Sequence, residues 1–135
     1  MSTAVKNEIR VQLNFVGFVR DPREMTTLAG LTPSKTWVAG EPIERSARKY
    51  ESNGWRISAQ QPVDGIEAGL DALFEGIVPY WDALRRLSQE CRVELSVVIY
   101  AHEEMPAIHF RADQIQRLAE LHGKIDVDVY RFSGE

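Results

Sequence analysis

Three stretches of this chain alternate apolar and polar residues one by one, and that period constrains the fold more than any other feature. From Ile9 the apolar residues Ile9, Val11, Leu13 and Phe15 are separated by Arg10, Gln12 and Asn14. Between Arg92 and Ala101, Val93, Leu95, Val97 and Ile99 repeat the pattern, and within Lys124 to Phe132 so do Ile125, Val127 and Val129. A period of two belongs to a strand with one face in the core. Phe15 to Phe18 is apolar on both faces, which suggests a central strand. Thr36 to Ala39 and Trp55 to Ala59 are shorter runs of β-favouring residues and read as a hairpin, with the polar segment 40–54 projecting between them as a loop. Ala107 to Phe110 reads as a hairpin partner for the strand ending at Ala101.

Helical spacing fills the intervals. Asp21-Pro22 combines a capping carboxylate with a proline suited to the first helical position, and Glu24 can complete a capping box. Met25, Leu28 and Ala29 form the expected buried stripe, and Gly30 ends the helix. Asp64 is the expected cap of a second helix carrying Ile66, Leu70, Leu73, Phe74 and Ile77. Pro79 favours a break there, followed by a second piece with Trp81, Leu84 and Leu87. A last helix starts at Asp113, with Ile115, Leu118, Ala119 and Leu121 inward and Gly123 as its stop. The order β-α-β-β-α(α)-β-β-α-β predicts an α+β fold, a mainly antiparallel sheet with helices packed on one face.

At 135 residues the chain has room for a single domain, 1–135, with 1–7 expected to be flexible. Hydrophobic residues at 44% suffice for a core without disulfides or structural metal. Met1 to Asn7 lacks a signal-peptide pattern, and no later apolar run approaches the roughly 20 residues of a membrane helix. Cys91 is the single cysteine, which excludes an internal disulfide and multi-thiolate metal sites and fits a reducing cytoplasm. A net charge of -4 gives no general attraction to nucleic acid or to an anionic membrane.

Asp21-Pro22 with Met25-Thr26, the run Leu28-Ala29-Gly30-Leu31-Thr32-Pro33-Ser34, a strand ending at Gly40, the pair Gly54-Trp55 and the closing Asp126-Val127-Asp128-Val129-Tyr130 resemble the uncharacterised bacterial family called domain of unknown function 4279. The resemblance covers nearly the whole chain and brings no catalytic residues with it. It implies a small bacterial cytoplasmic protein, with an immunity-like role beside a toxin as one implied function.

No phosphate-binding loop, dinucleotide fingerprint or Gly-x-Ser-x-Gly elbow occurs. His102-Glu103-Glu104 holds metal-ligand residue types without the His-Glu-x-x-His spacing, and a solvated turn is the plainer account. His109, on the expected partner strand, would approach His102 across the hairpin and offer two nitrogens to a divalent metal. His122 beside Gly123 suits the negative end of a helix dipole. Arg92 beside Cys91 makes a lowered thiol pKa conceivable, although a packed thiol is favoured. Asp126 and Asp128 share a strand face, as an acid/base pair if buried or as edge charges if exposed. Trp37 and Trp55 flank the charged loop with Arg45, Arg48 and Lys49, and aromatic anchors beside mixed charge suit a protein interface. The favoured reading is a non-catalytic protein-binding module with no cofactor, using Trp37, Arg45, Arg48, Lys49 and Trp55. The alternative is a small-ligand or metal-binding protein or enzyme using His102, His109 and nearby acids. A homodimer paired through the closing strand is a further option.

Overall fold

The computed structural model describes residues 6–59, 63, 65–102 and 104–132. A five-stranded mixed sheet runs through it, built from β1 (Glu8–Val16), β2 (Lys35–Trp37), β3 (Gly54–Ser58), β4 (Arg92–Ala101) and β5 (Lys124–Arg131) in the spatial order β2-β3-β1-β4-β5. The α+β class is as the alternation and helical spacing predict. Every neighbouring pair is antiparallel except β4 and β5, which run parallel.

That parallel pair corrects the expected chain order. Ala107 to Phe110 forms no strand, and no hairpin follows β4. A parallel neighbour requires a crossover, here supplied by α4 (Ala112–Glu120). Pro106 heads the segment and Ala107, Ile108 and His109 are exposed, so its brief alternation meets no sheet to join.

The apolar rows of β1 and β4 are in register, with Ile9 opposite Ile99, Val11 opposite Val97, Leu13 opposite Leu95 and Phe15 opposite Val93, and all eight side chains are buried. Trp55 and Ile57 of β3 extend the same row. Helix α1 (Pro22–Ala29) begins where expected: the Arg23 N–H donates to Asp21 Oδ1 at 2.8 Å, and Gly30 closes it in the left-handed conformation at φ 71°. Helix α2 (Ile66–Ile77) buries Ile66, Leu70, Leu73, Phe74 and Ile77. Its Gly69 lies so close to the sheet that a Cβ there would stand 2.8 Å from both Val11 and Val63 methyls. The expected cap Asp64 lies outside the described residues, as do residues 1–5 of the segment read as flexible; the capping position is Gly65, without a side-chain bond. At Pro79 the helix gives way to one 3-10 turn, Val78–Tyr80, and α3 (Trp81–Ser88) follows as a separate piece.

Three expected core positions on the helices are exposed. Leu28 is 49% and Ile115 50% exposed, and Ala119 also faces solvent; α4 instead buries Gln114 and Leu118. The left-handed residue that turns the chain after α4 is His122, at φ 55°, while Gly123 is needed because Leu118 packs where its Cβ would stand.

The 40–54 segment continues the β2–β3 hairpin. An isolated bridge joins Pro42 to Lys49, the Gly40 N–H donates to the Tyr50 carbonyl at 2.8 Å, and the Tyr50 N–H donates to the Glu41 carbonyl at 2.9 Å. No helix among the described residues is long and apolar enough to cross a membrane.

Candidate functional site

Strand alternation divides the sheet residues into two rows, and the row opposite the apolar one carries the polar chemistry. Register places Lys35 and Trp37 of β2, Gly54 and Arg56 of β3, Asn14 and Val16 of β1 and Arg92 of β4 on this side. At one end of it, the extended hairpin and the sheet enclose a cleft of about 410 Å³.

Its aromatic floor is Trp37 stacked on Tyr50, with centroids 5.1 Å apart and planes 22° from parallel. The Arg56 guanidinium lies 5.2 Å from the Trp37 ring, and Lys35 Nζ lies 5.9 Å from Trp37 and 5.8 Å from Tyr50. Cations over aromatic faces are attracted by the ring quadrupole. Arg56 Nε donates to Asn14 Oδ1 at 2.7 Å, which holds the guanidinium in place, and burial draws its pKa below the usual arginine value. Trp37 is only 7% exposed, so it forms a floor rather than the projecting anchor that its place beside the loop suggests.

The walls are charged. Arg48, Lys49 and Arg92 line the cleft, with Glu51 the one acidic lining residue among those described. Among the described residues no carboxylate stands within ion-pairing distance of any of the three cations. Asn53 fixes the base of the hairpin: its Oδ1 accepts from the Ala39 N–H at 2.9 Å, and its Nδ2 donates to the Phe18 and Arg20 carbonyls at 3.1 Å each.

The structure thus gathers Trp37, Arg48 and Lys49 around one cleft and leaves out the other two residues of the predicted set. Arg45 is exposed at a left-handed position, φ 58°, and does not line the cleft. Trp55 is wholly buried on the opposite row, edge-on to Phe15, with its indole N–H donating to Thr26 Oγ1 at 3.0 Å. The one-residue step from Gly54 to Trp55 reverses the face, so Trp37 and Trp55 are not partners across the hairpin. Sequence reasoning missed Tyr50, Arg56 and Arg92. Arg56 and Arg92 were accessible from alternation, because each sits next in line to a buried residue and must face the other way.

His102 and His109 lose the reason for their expected approach once 107–110 is not a strand. His102 stacks on Phe132 at 4.4 Å, while His109 Nδ1 lies 2.8 Å from Glu67 Oε1 on α2. Glu103 lies outside the described residues, and among those described no group of three or more His, Cys, Asp or Glu is placed to hold a metal ion. Beside His109, Arg111 donates to Asp71 at 2.6 and 3.0 Å and to Asp113 at 3.0 Å twice, which pins the segment before α4 to α2. Cys91 is half-buried and its thiol donates to the Leu87 carbonyl at 3.2 Å; burial, with Glu90 adding to it, pushes its pKa up to about 12, opposite to the lowering that Arg92 suggests.

A five-stranded mixed sheet in an α+β chain, with a cationic cleft on its polar side, describes the class. Residues 7–132 match the model of the family described as Domain of unknown function (DUF4279), and the chain belongs to that family. No curated protein and no solved structure matches it.

Proposed function

We propose that the chain is a bacterial cytoplasmic binding module, immunity-like in the sense its family resemblance implies, that recognises an acidic segment of a protein partner. The observation that carries this reading is the convergence of Arg48, Lys49 and Arg92 on one cleft, with no carboxylate among the described residues paired to any of them. Unneutralised cations repel one another, and a carboxylate-bearing partner relieves that repulsion while speeding encounter. The Trp37–Tyr50 floor offers apolar and π contact to residues between the acids. The overall charge of -4 gives no general attraction to polyphosphates.

The test is affinity capture from a lysate of the source bacterium with tagged wild type and with an Arg48→Ala, Lys49→Ala, Arg92→Ala variant whose thermal melt is unchanged. A protein retained by the wild type in low salt, released by salt and absent with the variant is expected. Identical captures by the two proteins would remove the cleft from the account. A small carboxylate that elutes the partner would show that the acid group itself is what the cleft recognises.

A further inference from the structure

The sheet's far edge offers a second surface, independent of the cleft. β5 is the last strand in the order, eight residues long, whereas the opposite edge strand β2 has three. Beyond its ladder with β4, the backbone bond at this edge is Phe132 N–H to the Ala101 carbonyl, which again points inward. Among the described residues nothing pairs with the outer N–H and C=O groups of β5. On one face Ile125 and Val129 remain 38% and 40% exposed although the same alternation buries their counterparts in β1 and β4. On the other face Asp126 and Asp128 stand exposed, and no cation among the described residues pairs with either.

Edge charge commonly serves to prevent sheet-to-sheet aggregation. Here its placement also selects a partner. A second copy added antiparallel about a two-fold axis centred on Val127 or Asp128 sets Asp126 against Asp128 or Asp128 against Asp128; centred on Asp126 it sets Asp126 against Asp126, and only there does Lys124, already paired with Glu94 at 3.4 Å, come opposite Asp128. Like charges directly opposite are unfavourable. A strand alternating apolar residues with Lys or Arg meets both faces: its apolar row covers Ile125, Val127 and Val129, and its cations face the two aspartates. Tyr130, stacked on Tyr100 at 5.6 Å and 52% exposed, extends the second row with a ring face suited to a further cation.

We infer that β5 is a strand-addition site for an extended protein segment that alternates β-branched residues with Lys or Arg. Main-chain bonds supply affinity and the alternation supplies specificity.

The probe is a fluorescein-labelled ten-residue peptide alternating Val and Lys, compared with the same peptide N-methylated at every residue. N-methylation keeps the charges and removes the backbone donors, so it separates strand addition from adsorption to an acidic surface. Saturable binding to the full chain, weakened at least ten-fold by N-methylation, is expected, with slowed hydrogen exchange in Lys124–Arg131 when peptide is added. An Asp126→Lys, Asp128→Lys variant should exchange preference, binding a Val/Glu peptide in place of the Val/Lys one. Absence of saturable binding, equal binding of the methylated peptide, or no exchange of preference would overturn the proposal. So would a concentration-dependent dimer whose β5 amides are protected without peptide, which would assign the edge to a second copy.

Discussion

The Trp37 indole fills the space that a side chain at Gly54 would require. The two residues are paired across the β2–β3 ladder, and a Cβ at Gly54 would sit inside van der Waals contact with the Trp37 ring. Glycine in a strand forfeits packing and costs entropy, but here it lets the indole lie flat under Arg56. Gly54→Ala is expected to expel the ring and to destabilise the fold by about 1–3 kcal/mol, the usual penalty of overpacking. In a Trp37→Ala background the same change should be neutral or stabilising, since the space is then free. Urea titrations of the four proteins give the coupling, and additive effects would show that the indole does not depend on Gly54.

Trp55 should behave as a core residue and not as a binding residue. It is fully buried against Phe15 and bonded to Thr26 of α1. Trp55→Ala is expected to cost about 3–5 kcal/mol in a denaturant titration, as for other large aromatic truncations. Trp55→Phe, which keeps most of the ring, should cost less and leave partner binding intact.

These two tryptophans mark what was legible in the sequence. Alternation gave the face of every residue in β1 and β4, and the same rule applied to β3 places Arg56 opposite to Trp55. What alternation does not contain is whether a neighbour exists to cover a face. Ile125 and Val129 have the pattern of buried strand residues, yet they lie on an edge and stay 38–40% exposed. Ile115 fails for the same reason on α4. The parallel pairing of β5 was hidden because a four-residue apolar rhythm at 107–110 imitates a strand, while the crossover that excludes it is a property of the whole topology. The cleft was half legible: the loop cations could be named, but Arg92 comes from a strand more than forty positions away, and only register brings it there.

Cys91 is expected to resist thiol reagents in the folded protein. The reactive species is the thiolate, and burial, reinforced by Glu90, raises the thiol pKa to about 12. At pH 8 a disulfide reagent should titrate it slowly in buffer and rapidly in denaturant. Because the folded form holds the proton more tightly than the unfolded one, its contribution to stability is complete below the unfolded value near pH 8.5 and fades as pH rises toward 12. Rapid native labelling would contradict this arrangement.

Arg111 links α2 to α4 through Asp71 and Asp113, and it should govern part of the acid response. Bonds from its guanidinium hold both carboxyls below the ordinary aspartate value. A depressed folded pKa means that the unfolded chain takes up protons first as pH falls. The contribution is therefore complete above the unfolded value near 3.9 and is lost as pH drops through the lower folded values. Thermal melts of wild type and Arg111→Gln should differ by a constant amount above about pH 5, begin to approach each other near the unfolded value of about 3.9, and converge only below the depressed folded values. The salt-exposed setting of the three groups predicts that 1 M sodium chloride shrinks the difference at neutral pH as well. A variant whose deficit is the same at every pH would locate the role of Arg111 in the packing of its side chain and not in charge.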